Sequence, residues 1–325
     1  MSIIRDDALI LRSLRYGETS RLVVALTARH GKVHLLAKGA REPKRGYGGA
    51  LEILTRSQIV FYHKRSRELH LVHSASVERA YLRILQTAGG FHLACAALEF
   101  VLRVVPDEDP AEEIFASLAA FLERADAADA PAPDGAPIDP RKAQGKLLWE
   151  LRIFQLAVVA ALGYAPATGC CCGCGAPLES EARFGVREGG LLCVRCRPEG
   201  EALPLSPRAL ALLRRICAMP GERMKAATQS ESAGEEEAPK QAAAKEAAPH
   251  AGASWEPHAS QGTGAVAERK PGGLRGSSEV RDRQVIEVVE SFLRYHVTGY
   301  YGLKSLKSFA EWESLASPAA KPGPR

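Results

Sequence analysis

The chain has 325 residues, 46% of them hydrophobic and 25% charged, with a formal net charge of +5. That length suits two domains with real cores, and the composition belongs to the soluble globular class rather than to a membrane protein. The N-terminal stretch MSIIRDDALILRSLRY carries Arg5, Asp6 and Asp7 where a secretory leader would be apolar. A cytosolic, thiol-reducing setting is therefore expected.

Residues 7 to 75 read as five short strands: 8 to 16, 20 to 28, 32 to 38, 50 to 64 and 67 to 74, with turns at Gly17-Glu18-Thr19, His30-Gly31 and Arg65-Ser66. The third, KVHLLAK, sets Val33, Leu35 and Ala37 on one face and Lys32, His34 and Lys38 on the other, the pattern of a half-buried strand with a basic outer face. A Gly-rich basic loop, GAREPKRGYGG, follows it. Five strands in so short a span, with a helix start expected near Val77, fit a small Greek-key barrel of the OB type, an SH3-like barrel being the alternative. From Arg29 to Arg67 there are ten Lys or Arg against Glu42 and Glu52. A localised positive field of this kind favours a polyanionic partner, the bland alternative being a solvated basic face.

From Gly90 the period becomes helical. Helices are expected over 91 to 105, 110 to 126 and 141 to 163, the first apolar almost all round and the last capped by Gly163. Next comes GCCCGCGAPLESEARFGVREGGLLCVRC, which holds six of the eight cysteines. Two Cys-x-x-Cys pairs, Cys171 with Cys174 and Cys193 with Cys196, can converge four thiolates on one tetrahedral Zn²⁺. Gly175 after the second ligand favours the first pair as written, leaving Cys170 and Cys172 as spare thiols that could replace Cys171. No histidine begins an H-x-E and there is no H-E-x-x-H. The metal therefore reads as a structural staple and not as a catalytic zinc of the nucleobase-deaminase kind. Another helix is expected over 206 to 221, with Ser206 as N-cap and Pro207 at its first position.

Residues 222 to 278 are rich in Ala, Gly, Pro, Ser and Glu and nearly free of large apolar side chains, so they are expected to be a disordered insertion. A helical pattern resumes over 279 to 309, with Val285, Val288, Val289, Phe292, Leu293 and His296 on one face, which should pack back onto the earlier helices.

The run YGETSRLVVALTARHGKVHLLAKGAREPKRGYGGALE, then LGYAPATGCCCGCG, GGLLCVRC and FLRYHVTGYYGLKSLKSF resembles the RecO family of bacterial recombination mediators over roughly 1 to 221 and 280 to 309. The extra cysteines, the loop at 126 to 140 and the insertion depart from that pattern. The resemblance implies an α+β chain: a five-stranded OB-fold barrel (1 to 80), then a helical domain (81 to 221) carrying a four-cysteine zinc ribbon (169 to 198). After the insertion (222 to 278), a C-terminal helix (279 to 310) completes the helical domain, and a disordered tail (311 to 325) ends the chain.

It further implies binding of single- and double-stranded DNA and annealing of complementary strands. With RecR, and in some bacteria RecF, such proteins help load RecA onto DNA coated by the single-stranded-DNA-binding protein, whose C-terminal tail they recognise. The expected setting is the cytoplasm, at the nucleoid. On the residues themselves, phosphates are expected at Lys32, Lys38, Arg41, Lys44 and Arg45, where Tyr62 or Tyr47 could offer a stacking face, ordinary loop packing being the stronger reading for Tyr47, and one structural Zn²⁺ is expected at Cys171, Cys174, Cys193 and Cys196. No phosphate loop or nucleophile elbow occurs, so no catalysis is expected. A zinc-ribbon adaptor that binds only protein is the alternative, and a zinc hydrolase or deaminase the remote one.

Overall fold

Strands β1 (Ser2–Tyr16), β2 (Ser20–Thr27), β3 (Gly31–Ala37), β4 (Thr55–His63) and β5 (Leu69–Ala80) close into a barrel in the order β1-β2-β3-β5-β4. This is a computed structural model, describing residues 2–42, 47–64, 66–128, 140–178, 181–218 and 283–316. The expected insertion at 222 to 278 and the expected ligands Lys44 and Arg45 lie outside the described residues.

β1 is long enough to serve two neighbours. Its first half pairs with β4 (Ser2↔His63 to Leu9↔Arg56) and its second with β2 (Ala8↔Thr27 to Tyr16↔Ser20), with a bulge between Ile10 and Arg12 that turns the strand around the barrel corner. All pairs are antiparallel except β3 with β5, which meet over only three residues, His34↔Leu69 to Leu36↔Leu71.

Alternation along the strands separates two cores. Ala8, Ile10, Val23, Ala25, Val33, Leu35, Ile59, Phe61 and Val72 fill the barrel interior. Leu9, Leu11 and Leu26 point outward and join the core of the helical unit.

That unit comprises α1 (Ala88–Val104), α2 (Glu112–Ala128), α3 (Pro140–Ala161), α4 (207–218), α5 (Arg283–His296) and α6 (Lys304–Ala316). Thr87 caps α1 by accepting from Gly90, and Ser206 caps α4 by accepting from Ala209. Phe100, Phe121, Phe154 and Tyr300 meet edge-on or stacked at its centre. Between α3 and α4 lies a second sheet, β6 (Ala182–Gly185), β7 (Gly190–Cys193) and β8 (Ala202–Leu205), in the order β7-β6-β8. Across 219 to 282 the chain returns to its own helical unit: Gln284 of α5 accepts from the Ser206 N–H at 3.1 Å and donates to the Pro204 carbonyl at 3.1 Å.

Four expectations need correction. β5 continues to Ala80 and α1 starts at Ala88, so no helix begins at Val77. The expected helix over 279 to 309 is two helices, α5 and α6, because Gly299 (φ 83°) and Gly302 (φ 84°) turn the chain between them. α6 runs to Ala316 and so occupies the start of the tail expected to be disordered from 311. β1 begins at Ser2, five residues before the expected strand region.

Candidate functional site

The two knuckles of the second sheet bring Cys171, Cys174, Cys193 and Cys196 together, with all four sulfurs within 4.8 Å of one another. Cys174 Sγ and Cys193 Sγ stand 3.8 Å apart. Four thiolates at about 2.3 Å from one Zn²⁺ would stand about 3.8 Å from each other, so the spacing is that of a tetrahedral edge. Cys170 and Cys172 are exposed and outside the cluster, so Cys171 is the member of the tandem cysteines that stands with the other three.

Local backbone explains this convergence. Gly175 takes φ 71°, and its N–H donates to the Cys171 carbonyl at 2.8 Å, closing the first knuckle. The Cys193 N–H points at Cys171 Sγ at 3.3 Å. Gly173 leaves room for Cys196 Sγ, which would lie 3.0 Å from any β-carbon there. Arg214 of α4 donates to the Thr168 and Leu178 carbonyls, clamping both ends of the first knuckle, and Arg183 donates to Val194 and Cys196 carbonyls across the second. On its inner side the sheet is anchored by Phe184 against Phe292 and by His296 on the Val186 carbonyl.

The electrostatics suit a cation. The Cys193 N–H, against the effect of burial and aided by the N–H groups of Cys174 and Gly173, pulls the Cys171 thiol down to about 6. Cys193 is lowered likewise, first by the Cys196 N–H. Hydrogen bonding to Cys174, Cys193 and Cys171 pushes Cys196 up to about 12. Backbone N–H groups aimed at sulfur stabilise thiolates, and a dication offsets half the charge of four closely packed thiolates. The residues can therefore hold a metal ion, and all-sulfur donors suit zinc.

The barrel carries a second candidate. A groove of about 920 Å³ runs over the short parallel junction of β3 and β5, lined among others by Leu36, Lys38, Tyr62, Lys64, Arg67 and Leu69. Among the described lining residues, Lys38, Lys64 and Arg67 stand with one acid, Glu68. Tyr62 is held at its rim by a 3.1 Å contact between its hydroxyl and His73 Nδ1.

The expected phosphate ligands divide. Lys38 is exposed and lines this groove. Arg41 is exposed, yet its guanidinium donates to the Glu18 carbonyl at 2.8 Å, tying the loop to the β1–β2 turn.

Lys32 does not face solvent as expected. Its ammonium donates to the Leu102 carbonyl at 2.9 Å, near the C-terminal end of α1, and pairs with Asp107 at 3.3 Å. The outer face of β3 is basic as read, but at this end the helical unit covers it. Tyr47 is likewise buried in the barrel core and offers no stacking face. Lys64 and Arg67 also line the groove, and in the sequence they carry no signal beyond membership of the basic run.

Among the described residues no helix is long and apolar enough to cross a membrane. The family model for the recombination protein O N-terminal region matches residues 1–81, and that for its C-terminal region matches 142–235. The chain is 35% identical over 218 residues to the DNA repair protein RecO of Anaeromyxobacter sp. (strain K), covering 66% of this chain and 80% of that protein. It is 34% identical over 215 residues to the DNA repair protein RecO of Thermobifida fusca (66% and 81%), and 34% identical over 166 residues to that of Salinibacter ruber (51% and 58%).

Proposed function

The chain belongs to the recombination protein O family of DNA repair proteins, and from that premise we propose that it is a DNA-binding recombination mediator that acts by binding and not by catalysis. The observation that carries this reading is the groove over β3, β4 and β5, where Lys38, Lys64 and Arg67 surround Leu36, Leu69 and the ring of Tyr62. Cations beside an aromatic and an apolar floor form the combination that binds single strands: phosphates on the cations with release of counterions, bases on the ring. We read the barrel as an OB-fold on its strand order and its one parallel pair. Lys38, Arg41, Lys44 and Arg45 stay in the DNA-binding set. Lys32 leaves it, and Lys64 and Arg67 join it.

The metal proposed for the four thiols is one structural Zn²⁺ per chain, which supplies a rigid crosslink between the two knuckles. Family resemblance supports the wider role: binding of single- and double-stranded DNA, annealing of complementary strands and recognition of the single-stranded-DNA-binding protein through its C-terminal tail. It also supports joint action with RecR, and in some bacteria RecF, in loading RecA, all in the cytoplasm at the nucleoid.

The test is fluorescence anisotropy of a labelled single strand across a salt series, comparing the natural chain with K38E/K64E/R67E. Three lost phosphate contacts should weaken binding to all sequences alike and flatten the slope of log K against log salt by about 2, at roughly 0.7 per contact. Metal content and thermal midpoint should stay as they are. Natural affinity and slope in the triple variant would show that the groove is only a solvated face.

A further inference from the structure

We propose that the mouth of the barrel holds a second metal site, for a divalent first-row transition ion, made by His63, His70 and Glu108. The three donor atoms lie within 4.8 Å of one another. His70 Nε2 is 2.8 Å from Glu108 Oε1, and His63 Nε2 is 3.7 Å from Glu108 Oε2. Donors at about 2.1 Å around one ion stand about 3.0 Å apart in an octahedron and about 3.4 Å apart in a tetrahedron. The two imidazole–carboxylate separations bracket those values, and the two imidazole donors are within 4.8 Å of each other.

The placement is built by the fold. β4 and β5 pair down to Tyr62↔Leu71, and the same register sets His63 opposite His70 as the next rung. Their rings lie 4.6 Å apart, with His70 also against Phe61 at 5.8 Å, so both project into the end of the barrel interior. Glu108 arrives from the turn between α1 and α2, at φ 55°, a left-handed conformation that non-glycine residues seldom adopt. Its backbone N–H is fixed on the Lys32 carbonyl at 2.9 Å, and that conformation turns the carboxylate onto the histidines. His70 is 1% exposed and its Nδ1 has no hydrogen-bond partner, so packing and the 2.8 Å contact of Nε2 with Glu108 orient the ring, with Nε2 directed at the cluster.

Two imidazoles and one carboxylate form the donor set of borderline ions such as Zn²⁺, Co²⁺, Ni²⁺ or Fe²⁺. A bound ion would join two barrel strands to the helical unit. This site is separate from the thiol cluster in donors and in fold.

The experiment is calorimetric titration of Co²⁺ into the full chain with its thiol site already filled by zinc, alongside H63Q, E108Q and, as a control histidine outside the cluster, H92Q. We expect one Co²⁺ per natural chain beyond the thiol-bound zinc. Loss of even an outer partner costs about 10–100-fold in metal affinity, so H63Q and E108Q should each weaken binding by at least about 100-fold while H92Q matches the natural chain. Proton NMR of the natural Co²⁺ form reads the site without any variant: the sheltered His70 Nδ1 proton should give a strongly shifted, slowly exchanging resonance. No second equivalent, equal affinity in all three variants, or a Co²⁺ spectrum without a shifted imidazole N–H would each overturn the assignment.

Discussion

The barrel and the thiol-bearing sheet solve the same problem, holding short strands together, by opposite means. The barrel surrounds an interior of its own, with Phe61, Ile59 and Leu35 fully buried at its centre. The smaller sheet has three strands of four residues each and cannot enclose a core. It leans Phe184 onto α5 on one side and gathers four sulfurs on the other. With the proposed zinc bound, the origin of the stabilisation would differ: many weak apolar contacts that tolerate adjustment in the first case, four directed metal–sulfur bonds that do not in the second.

The contrast can be broken from either side. Substituting Cys171 or Cys193 by Ser should have the largest effect, because a structural zinc contributes on the order of 10 kcal/mol of binding free energy to a small ribbon. Metal analysis should show zinc lost, and hydrogen exchange should show β6 to β8 opening while the barrel keeps its protection. Phe61→Ala should do the converse. It should cost about 3–5 kcal/mol through lost burial and the cavity left behind, lower the denaturant midpoint, and leave the zinc in place.

A third change addresses the helical unit that joins the two. Burial alone would raise the Glu99 carboxyl, but the Ser305 and Lys304 N–H groups, the Ser305 hydroxyl and Arg103 outweigh it and hold it below its ordinary value. Its folded pKa is thus below its unfolded one, so its contribution is complete above the unfolded value, near 4.3, and is lost as pH falls through the folded value. Glu99→Gln should cost about 1.5 kcal/mol at pH 7 and almost nothing near pH 2, read from urea melts at both. The smallest effect, about 1 kcal/mol, is expected for Ser206→Ala at the N-cap of α4, visible as faster exchange in the first turn of that helix.

Most of the barrel was legible because its strands alternate, and the thiol cluster because its spacing carries its geometry. The beginning of β1 was not, since Ser2 to Asp7 shows no apolar alternation and becomes a strand only by pairing with β4. Alternation along β3 gives the face of Lys32 but not its neighbour, because what covers that face, Leu102 and Asp107, lies 70 and more residues away. Tyr47 packs as the stronger reading of its loop has it, but the Gly-rich stretch around it has no period that says where: the turn at Gly48–Leu51 folds it into the barrel. The groove could not be read from any one strand: it exists where β3 and β5 meet over three residues and then part.

The Gln284 clamp has a practical consequence for anyone shortening this chain. It ties the start of α5 to residues 204 and 206, at the beginning of α4, whereas the chain leaves α4 at its far end, after residue 218. At 1.5 Å per residue those twelve residues put the exit and re-entry points about 17 Å apart. An extended chain gains about 3.4 Å per residue, so a replacement for 219 to 282 needs at least about five residues, and a few more to pass around the helix. A tight two-residue splice would instead pull Gln284 off Ser206 or unwind the last turns of α4.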